Sequence, residues 1–389
     1  MFDTTAFKTK TIITAKHNPI AEGFWGIALD VGYSAVKGYS SNSVFCFPSY
    51  ARKVTGVALS IGDDDSESIQ YRDEHGTIWA VGATAQDMIT SDETNDSTQA
   101  LYGRNRYYSE MFKVLVRTGL GIGLMPNKCG TMNNETIVVQ TGLPPMYMKS
   151  DTDMLRDIFA DTHIFSLKVG NGDWIDFHFT LPESNVFVMQ QPMGTLFSIA
   201  TDSDGNFLPD ANKYFRSNTL ILDPGFGTLD VFSIRNGRAE SSETFDDLGM
   251  KRVLSETSKK IFDKYHQEVR IPAMQKCLAS GKVKCFNRKE RSSTLEPFGD
   301  MLEESSKDVC MEALSRIDSI YNNLQDYDVL IVTGGTGAAW RKYIREYYGG
   351  MTSLEVINGN QNDSFSCVFS NVRGYYMFLI AELRSAHKR

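Results

Sequence analysis

Basic charge, cysteine and long apolar runs are all scarce in this chain. Of its 389 residues, 40 are Lys or Arg against 48 Asp or Glu, a formal net charge of −8. Proteins that wrap nucleic acid directly carry the opposite sign or a dense basic patch. The nearest candidates here are Lys251-Arg252 with Lys259-Lys260, and the stretch from Lys282 to Arg291, which Cys285, Phe286 and Glu290 interrupt. Direct binding to nucleic acid is therefore not expected. Six cysteines are too few for a disulfide framework, and the closest pair, Cys277 and Cys285, lies eight apart, outside the short gap that zinc sites favour. Reduced thiols and a reducing compartment are expected. The six histidines show no HExxH spacing. The apolar run Tyr375 to Ala381 falls well short of the ~20 residues that a membrane span needs. Met1-Phe2-Asp3-Thr4 opens no basic-then-apolar leader. A cytoplasmic location with no membrane partner is the expectation.

What is present suits a soluble chain of two or three domains, with 41% hydrophobic and 23% charged residues. Residues 1–22 are polar and irregular and read as an arm or a loose first strand. Strand patterns follow at 24–30, 36–40 and 44–47, broken by Gly and Ser. The acidic run 62–68 lacks the Gly and Glu register of a calcium loop and reads as a solvated hairpin tip. Helical spacing covers 107–118, and Gly119-Leu-Gly121-Ile-Gly123 then reads as a helix stop, because a dinucleotide loop would follow a strand. Further strands are expected at 136–140, 174–181, 185–189, 219–223, 229–234, 239–242 and 329–333. Helices are expected at 151–159 with an acidic N-cap, at 249–265, at 297–323, from about Ala338, and at 372–387. The polar stretch 201–218 suits a boundary between two halves.

One repetition organises the rest. Leu29-Asp30-Val31-Gly32-Tyr33 and Leu222-Asp223-Pro224-Gly225-Phe226 share Leu-Asp-x-Gly-aromatic, 193 residues apart, each between two strand patterns. Two similar domains follow, each opening with a β-hairpin. Glycine permits positive φ and lets a phosphate approach backbone N–H groups. Ser34 and Thr228 can donate hydroxyls, and Asp30 and Asp223 at strand ends can hold a hydrated Mg²⁺ against phosphate oxygens. Lys37 supplies a cation in the first copy, where the second has Asp230. Such a pair of hairpins would clamp a triphosphate from both sides.

Asp30-Val-Gly-Tyr-Ser-Ala-Val-Lys37 and Asp223-Pro-Gly-Phe-Gly-Thr-Leu-Asp230 resemble the two phosphate loops of the actin, sugar-kinase and heat-shock-chaperone ATPase superfamily. Val332-Thr-Gly-Gly-Thr-Gly337 resembles its adenosine motif. Within the superfamily the chain most resembles the bacterial actin-like proteins of the ParM group. Thr141-Gly-Leu-Pro144, Val188-Met-Gln-Gln-Pro192 and Ser370-Asn-Val-Arg-Gly-Tyr375 support that placement. The resemblance implies an α/β fold of two similar domains, each a mixed β-sheet flanked by helices, with the nucleotide in the cleft joining them. It divides the chain into the arm 1–22, a first domain 23–200 that the helix at 366–389 packs back on, and a second domain 201–365. ATP with magnesium is the implied cofactor, GTP staying open. Gly32, Tyr33, Ser34, Lys37, Gly225, Gly227, Thr228, Gly334, Gly335 and Thr336 are the implied nucleotide contacts, with Gly249, Lys251 and Arg252 lining the adenine pocket. Asp30 and Asp223 are implied in catalysis through the metal. The hydrolytic position, a Glu or Gln just past a strand, matches Gln191, with Gln190 the competing assignment; glutamine orients water but is a negligible base, so slow hydrolysis is expected.

The resemblance implies ATP-dependent filaments that disassemble after hydrolysis and move DNA through an adaptor protein, which the acidic charge suits. Two alternatives stand beside it. A small-molecule kinase would need an Asp base, for which Asp87, Asp92 and Asp96 are candidates outside any kinase-like motif. A non-filamentous scaffold is the other; the length leaves no room for a chaperone's substrate domain.

Overall fold

The computed structural model describes residues 2–54, 67–89, 104–287 and 289–387. Residues 62–66 of the acidic run, and Asp92 and Asp96, lie outside them. Contacts separate two units: one holds residues 9–54, 67–88, 104–212 and 359–387, the other residues 2–8 with Lys213–Asn358. Each contains a mixed sheet flanked by helices.

In the first unit, chain order runs β1 (Ile12–Ala15), β2 (Phe24–Val31), β3 (Ala35–Ser40), β4 (Ser43–Pro48), β5 (Ala51–Lys53), β6 (Ile69–Asp73), β7 (Ile78–Val81), α1 (Ala83–Asp87) and α2 (Glu110–Leu124). It continues with β8 (Thr136–Leu143), α3 (Met148–Phe159), β9 (Thr162–Val169), β10 (Ile175–Thr180), β11 (Val186–Gln190) and α4 (Gln191–Ala200), and the helix Ser370–His387 returns to it. The main sheet has the order β1-β4-β3-β2-β8-β11, and a second sheet the order β10-β9-β6-β7-β5. Successive side chains of a strand point to opposite faces, and β2 uses this fully. Ile27, Leu29 and Val31 join the core containing Leu115 and Leu120 of α2, while Ala28 joins the one containing Val372, Tyr375, Tyr376 and Ile380 of the C-terminal helix. Asp30 belongs to the second series, so it leaves the strand on the face that the C-terminal helix covers. That helix sits close: a Cβ on Gly374 would lie 1.6 Å from the Gly194 carbonyl oxygen of α4.

The second unit follows α5 (Ala211–Arg216), which straddles the boundary. Its elements are β12 (Thr219–Pro224), β13 (Leu229–Arg235), β14 (Arg238–Phe245), α6 (Met250–Tyr265), α7 (Ile271–Cys277), β15 (Lys282–Asn287), β16 (Ser292–Pro297), α8 (Gly299–Ile320), β17 (Val329–Val332), α9 (Gly334–Tyr348) and β18 (Glu355–Asn358). Its main sheet, β14-β13-β12-β17-β18, repeats β4-β3-β2-β8-β11 strand for strand. In both, the first two pairings are antiparallel and the last two parallel. The repetition seen in two short motifs therefore extends over five strands.

Several readings need correction. Residues 1–22 are not one arm: the Thr4 hydroxyl donates to the Leu278 carbonyl at 2.7 Å in the second unit, while β1 pairs with β4 in the first. The helix expected from residue 151 begins at Met148, and Asp151 is a buried first-turn residue, not the cap. The basic stretch from Lys282 forms the hairpin β15–β16. The glycines 119, 121 and 123 do not stop α2 but continue it to Leu124. Their helix propensity is poor, yet they let the helix lie against the sheets. A Cβ on Gly121 would meet Leu167 Cδ1 at 2.4 Å and Phe165 Cε2 at 2.9 Å, both on β9.

Gly121→Ala should therefore lower stability by about 1–3 kcal/mol through overpacking, although alanine improves helix propensity by about 1 kcal/mol. Urea denaturation checks this; a raised midpoint would show that the close approach does not constrain α2.

Candidate functional site

The first hairpin is built by register. β2 and β3 place Asp30 directly opposite Lys37, Leu29 opposite Gly38 and Val31 opposite Val36, and the Gly32 N–H closes the turn on the Ala35 carbonyl at 2.9 Å. Asp30 is 3% exposed, and its carboxylate takes an ion pair from Lys37 Nζ at 2.7 Å and a hydrogen bond from Gln191 Nε2 at 3.4 Å. Burying a charge is costly unless it is paired and hydrogen-bonded. Gln191 is the first residue of α4 and thus reaches Asp30, whereas Gln190 caps that helix with its side-chain Oε1 buried and unpartnered. Beside Lys37 in the sheet lies Cys46, whose thiol burial pushes up to about 12, so it stays protonated at neutral pH.

Two residues that sequence reading missed hold this loop. Ser49 donates its N–H to the Ser34 carbonyl at 3.0 Å and its hydroxyl to the Gly32 carbonyl at 2.8 Å. Arg106, itself buried, donates to the Val31 carbonyl and lays its guanidinium over the Tyr33 ring at 4.4 Å. Neither contact is local in sequence, and no motif marks it.

The second hairpin repeats the register. Asp223 lies opposite Asp230, Leu222 opposite Val231, and the Gly225 N–H closes on the Thr228 carbonyl at 2.7 Å. The position that carries Lys37 in the first copy holds a buried acid here. Asp230 accepts from the Thr244 hydroxyl at 2.7 Å and from the Thr228 hydroxyl at 3.3 Å. The loop is pinned from two helices: the Gly225 carbonyl accepts from the Thr336 hydroxyl at 2.8 Å and the Met250 N–H at 3.1 Å, and the Phe226 carbonyl accepts from the Lys251 N–H at 2.8 Å. These bonds satisfy donors at the start of α6 that no helical carbonyl can reach. They also need Gly249, because a Cβ there would fall 2.6 Å from the Phe226 carbonyl oxygen.

The helix expected from about Ala338 begins earlier, inside the stretch that resembles the adenosine motif. Thr333 is the N-cap, and α9 begins at Gly334. Gly334 has φ +75°, and a Cβ on it would lie 2.6 Å from Asp223 Oδ1. The Asp223 carboxylate therefore sits against the start of a helix, where the backbone dipole favours negative charge. Gly32 and Gly225, by contrast, do not use left-handed backbone; what the first requires is room, since a Cβ would sit 3.0 Å from the Ala35 carbonyl oxygen.

The first unit thus gathers Asp30, Gly32, Tyr33, Ser34, Lys37 and Gln191 about one turn. The second gathers Asp223, Gly225, Gly227, Thr228, Gly249, Gly334 and Thr336 about another. Lys251 and Arg252 lie on the first turn of α6 with exposed side chains, Arg252 pairing with Glu256 at 2.9 Å, and Gly335 is exposed on α9. Among the described residues no three His, Cys, Asp or Glu side chains cluster as a metal cage. Strand-end carboxylates, Asp30 in one unit and Asp223 opposite Asp230 in the other, fit magnesium, which keeps several waters and leans on one or two carboxylates and on phosphates. No helix of the described residues is long and apolar enough to cross a membrane.

Residues 28–194 match the family model described as the actin-like proteins N-terminal domain. Comparison with curated protein sequences returns no match. Among solved structures, a non-polymerisable quadruple mutant of pCBH ParM superposes with a TM-score of 0.69 at 21% identity, covering 91% of this chain and 98% of its own. A 15-stranded ParM filament from Clostridium botulinum gives 0.67 at 21% identity, with 91% and 98% covered. An archaeal actin homologue, Ta0583, in complex with ADP gives 0.59 at 15% identity, with 94% and 100% covered. The chain thus has the two-domain actin-like fold seen in ParM.

Proposed function

We propose that this chain is an actin-like ATPase that polymerises with ATP bound, disassembles after hydrolysis, and segregates plasmid or other DNA through an adaptor protein. The observation that carries the reading is the duplicated hairpin, with an acid at the same strand end and the same closing bond in both copies. The Clostridium botulinum relative is a filament and the archaeal one was solved with ADP, which supports self-association and nucleotide binding here. Net charge −8 suits an adaptor between filament and DNA better than direct contact.

In this reading both hairpins act on one nucleotide, ATP with GTP as the alternative. Lys37 neutralises phosphate charge, Ser34 and Thr228 donate hydroxyls, and Gly249, Lys251, Arg252, Gly334, Gly335 and Thr336 hold the nucleoside. Asp30 and Asp223 would hold a magnesium ion, which would neutralise charge on the phosphates. Gln191 orients the attacking water through its amide. Its bond to Asp30 supports this role, because it ties the amide to the first phosphate loop. A glutamine cannot take the proton with useful strength, so turnover is slow.

Phosphate release and light scattering with MgATP test the proposal together. Wild-type protein should scatter strongly on adding MgATP and release phosphate afterwards. Gln191→Ala should slow release by roughly 10²-fold and prolong the scattering signal. An unchanged rate would move the role to Gln190, and phosphate transfer only to an added sugar would contradict the proposal.

A further inference from the structure

Among the described residues of the first unit, three arginines are buried: Arg106, Arg117 and Arg373. Two of them have carboxylate partners. Arg117 pairs with Glu74 at 2.8 Å and Asp161 at 3.5 Å, and Arg373 pairs with Asp363 at 3.5 Å. Arg106 differs. No carboxylate among the described residues pairs with it, and its buried Nε has no hydrogen-bond partner. Glu110, the nearest described acid along the chain, pairs with Lys53 at 2.6 Å instead.

The surroundings of Arg106 are attractive to a cation but neutral. Its guanidinium lies over the rings of Tyr33 at 4.4 Å, Phe112 at 4.9 Å and Tyr107 at 5.6 Å, and it donates to the Val31 carbonyl. Aromatic faces hold a cation through their quadrupole and supply no counter-charge. A buried charge left in that state is costly. The group is nonetheless fixed in place. The Arg106 carbonyl accepts the Ser109 hydroxyl at 2.6 Å, and Ser109, the N-cap of α2, accepts the Phe112 N–H at 3.1 Å. The start of a helix therefore presses an uncompensated cation against the turn 31–34. Lys37 beside the same turn does not add to this charge, because Asp30 pairs with it at 2.7 Å.

We propose that Arg106 is a positioning residue for polyphosphate: it holds the turn 31–34 and lends that turn a positive charge that the triphosphate of a nucleotide neutralises. The inference rests on the reading of this turn as a phosphate loop, and adds what makes the loop favour a highly charged nucleotide. Salt and water screen a buried cation less than an exposed one, so its field persists at the loop. The nucleotide supplies the anion that Glu74, Asp161 and Asp363 supply to the other two arginines.

Calorimetric titration of the full chain with MgATP and with AMP tests it in Arg106→Met, Arg106→Gln and Arg106→Lys, each checked for a cooperative melt. Methionine keeps an unbranched side chain without the charge, and glutamine keeps an N–H donor for the Val31 carbonyl. We expect both neutral variants to bind MgATP roughly tenfold more weakly or worse, and AMP within about threefold of wild type. Lysine, which keeps the charge, should restore the preference for MgATP over AMP. Neutral variants that bind MgATP like wild type would overturn the inference and leave the phosphate-loop reading intact. Neutral variants that both fail to fold, or that lose MgATP and AMP alike, would make Arg106 a structural residue and overturn it too. A wild-type chain that binds neither nucleotide would overturn the inference together with the reading beneath it.

Discussion

A carboxylate held at the end of a buried strand is costly, and much of what surrounds the two hairpins offsets that cost. Asp30 is stabilised by a lysine directly across the hairpin and by an amide at the start of the next helix. Asp223 is set against the first residue of α9, which must be glycine because both the backbone and the carboxylate leave no room for a Cβ. Different chemistry thus serves the same end in the two units. The turns beyond these acids are fixed by bonds to their carbonyl oxygens, from Ser49 and Arg106 in one and from Thr336 and α6 in the other.

The two halves have kept topology while diverging in charge. Five strands repeat in order and sense, but the position opposite the strand-end acid is Lys37 in one copy and Asp230 in the other. One copy carries a neutralised acid, and the other sets two acids opposite each other, with threonine hydroxyls on the second.

Both hairpins were legible in the sequence, because a buried strand ending in Leu-Asp-x-Gly signals its own turn and the second copy confirms the first. The central strands were legible for the same reason. What escaped was set by distant packing. Glycines 119, 121 and 123 look like a helix end until Leu29, Leu167 and Ile27 are known to lie against them. The helix expected from about Ala338 in fact opens at Gly334, which adopts positive φ beside Asp223. Arg106 reaches Val31 across 75 residues and Ser49 reaches Gly32 across 17, so no window of sequence shows either bond.

Calorimetric titration of the full chain with magnesium and a slowly hydrolysed ATP analogue addresses the central claim, that duplicated turns serve a single nucleotide. The account predicts one nucleotide per chain, with Lys37→Ala in one loop and Asp223→Ala in the other each weakening that same binding event more than tenfold. Two independent nucleotides per chain, each lost with only one of the substitutions, would contradict it.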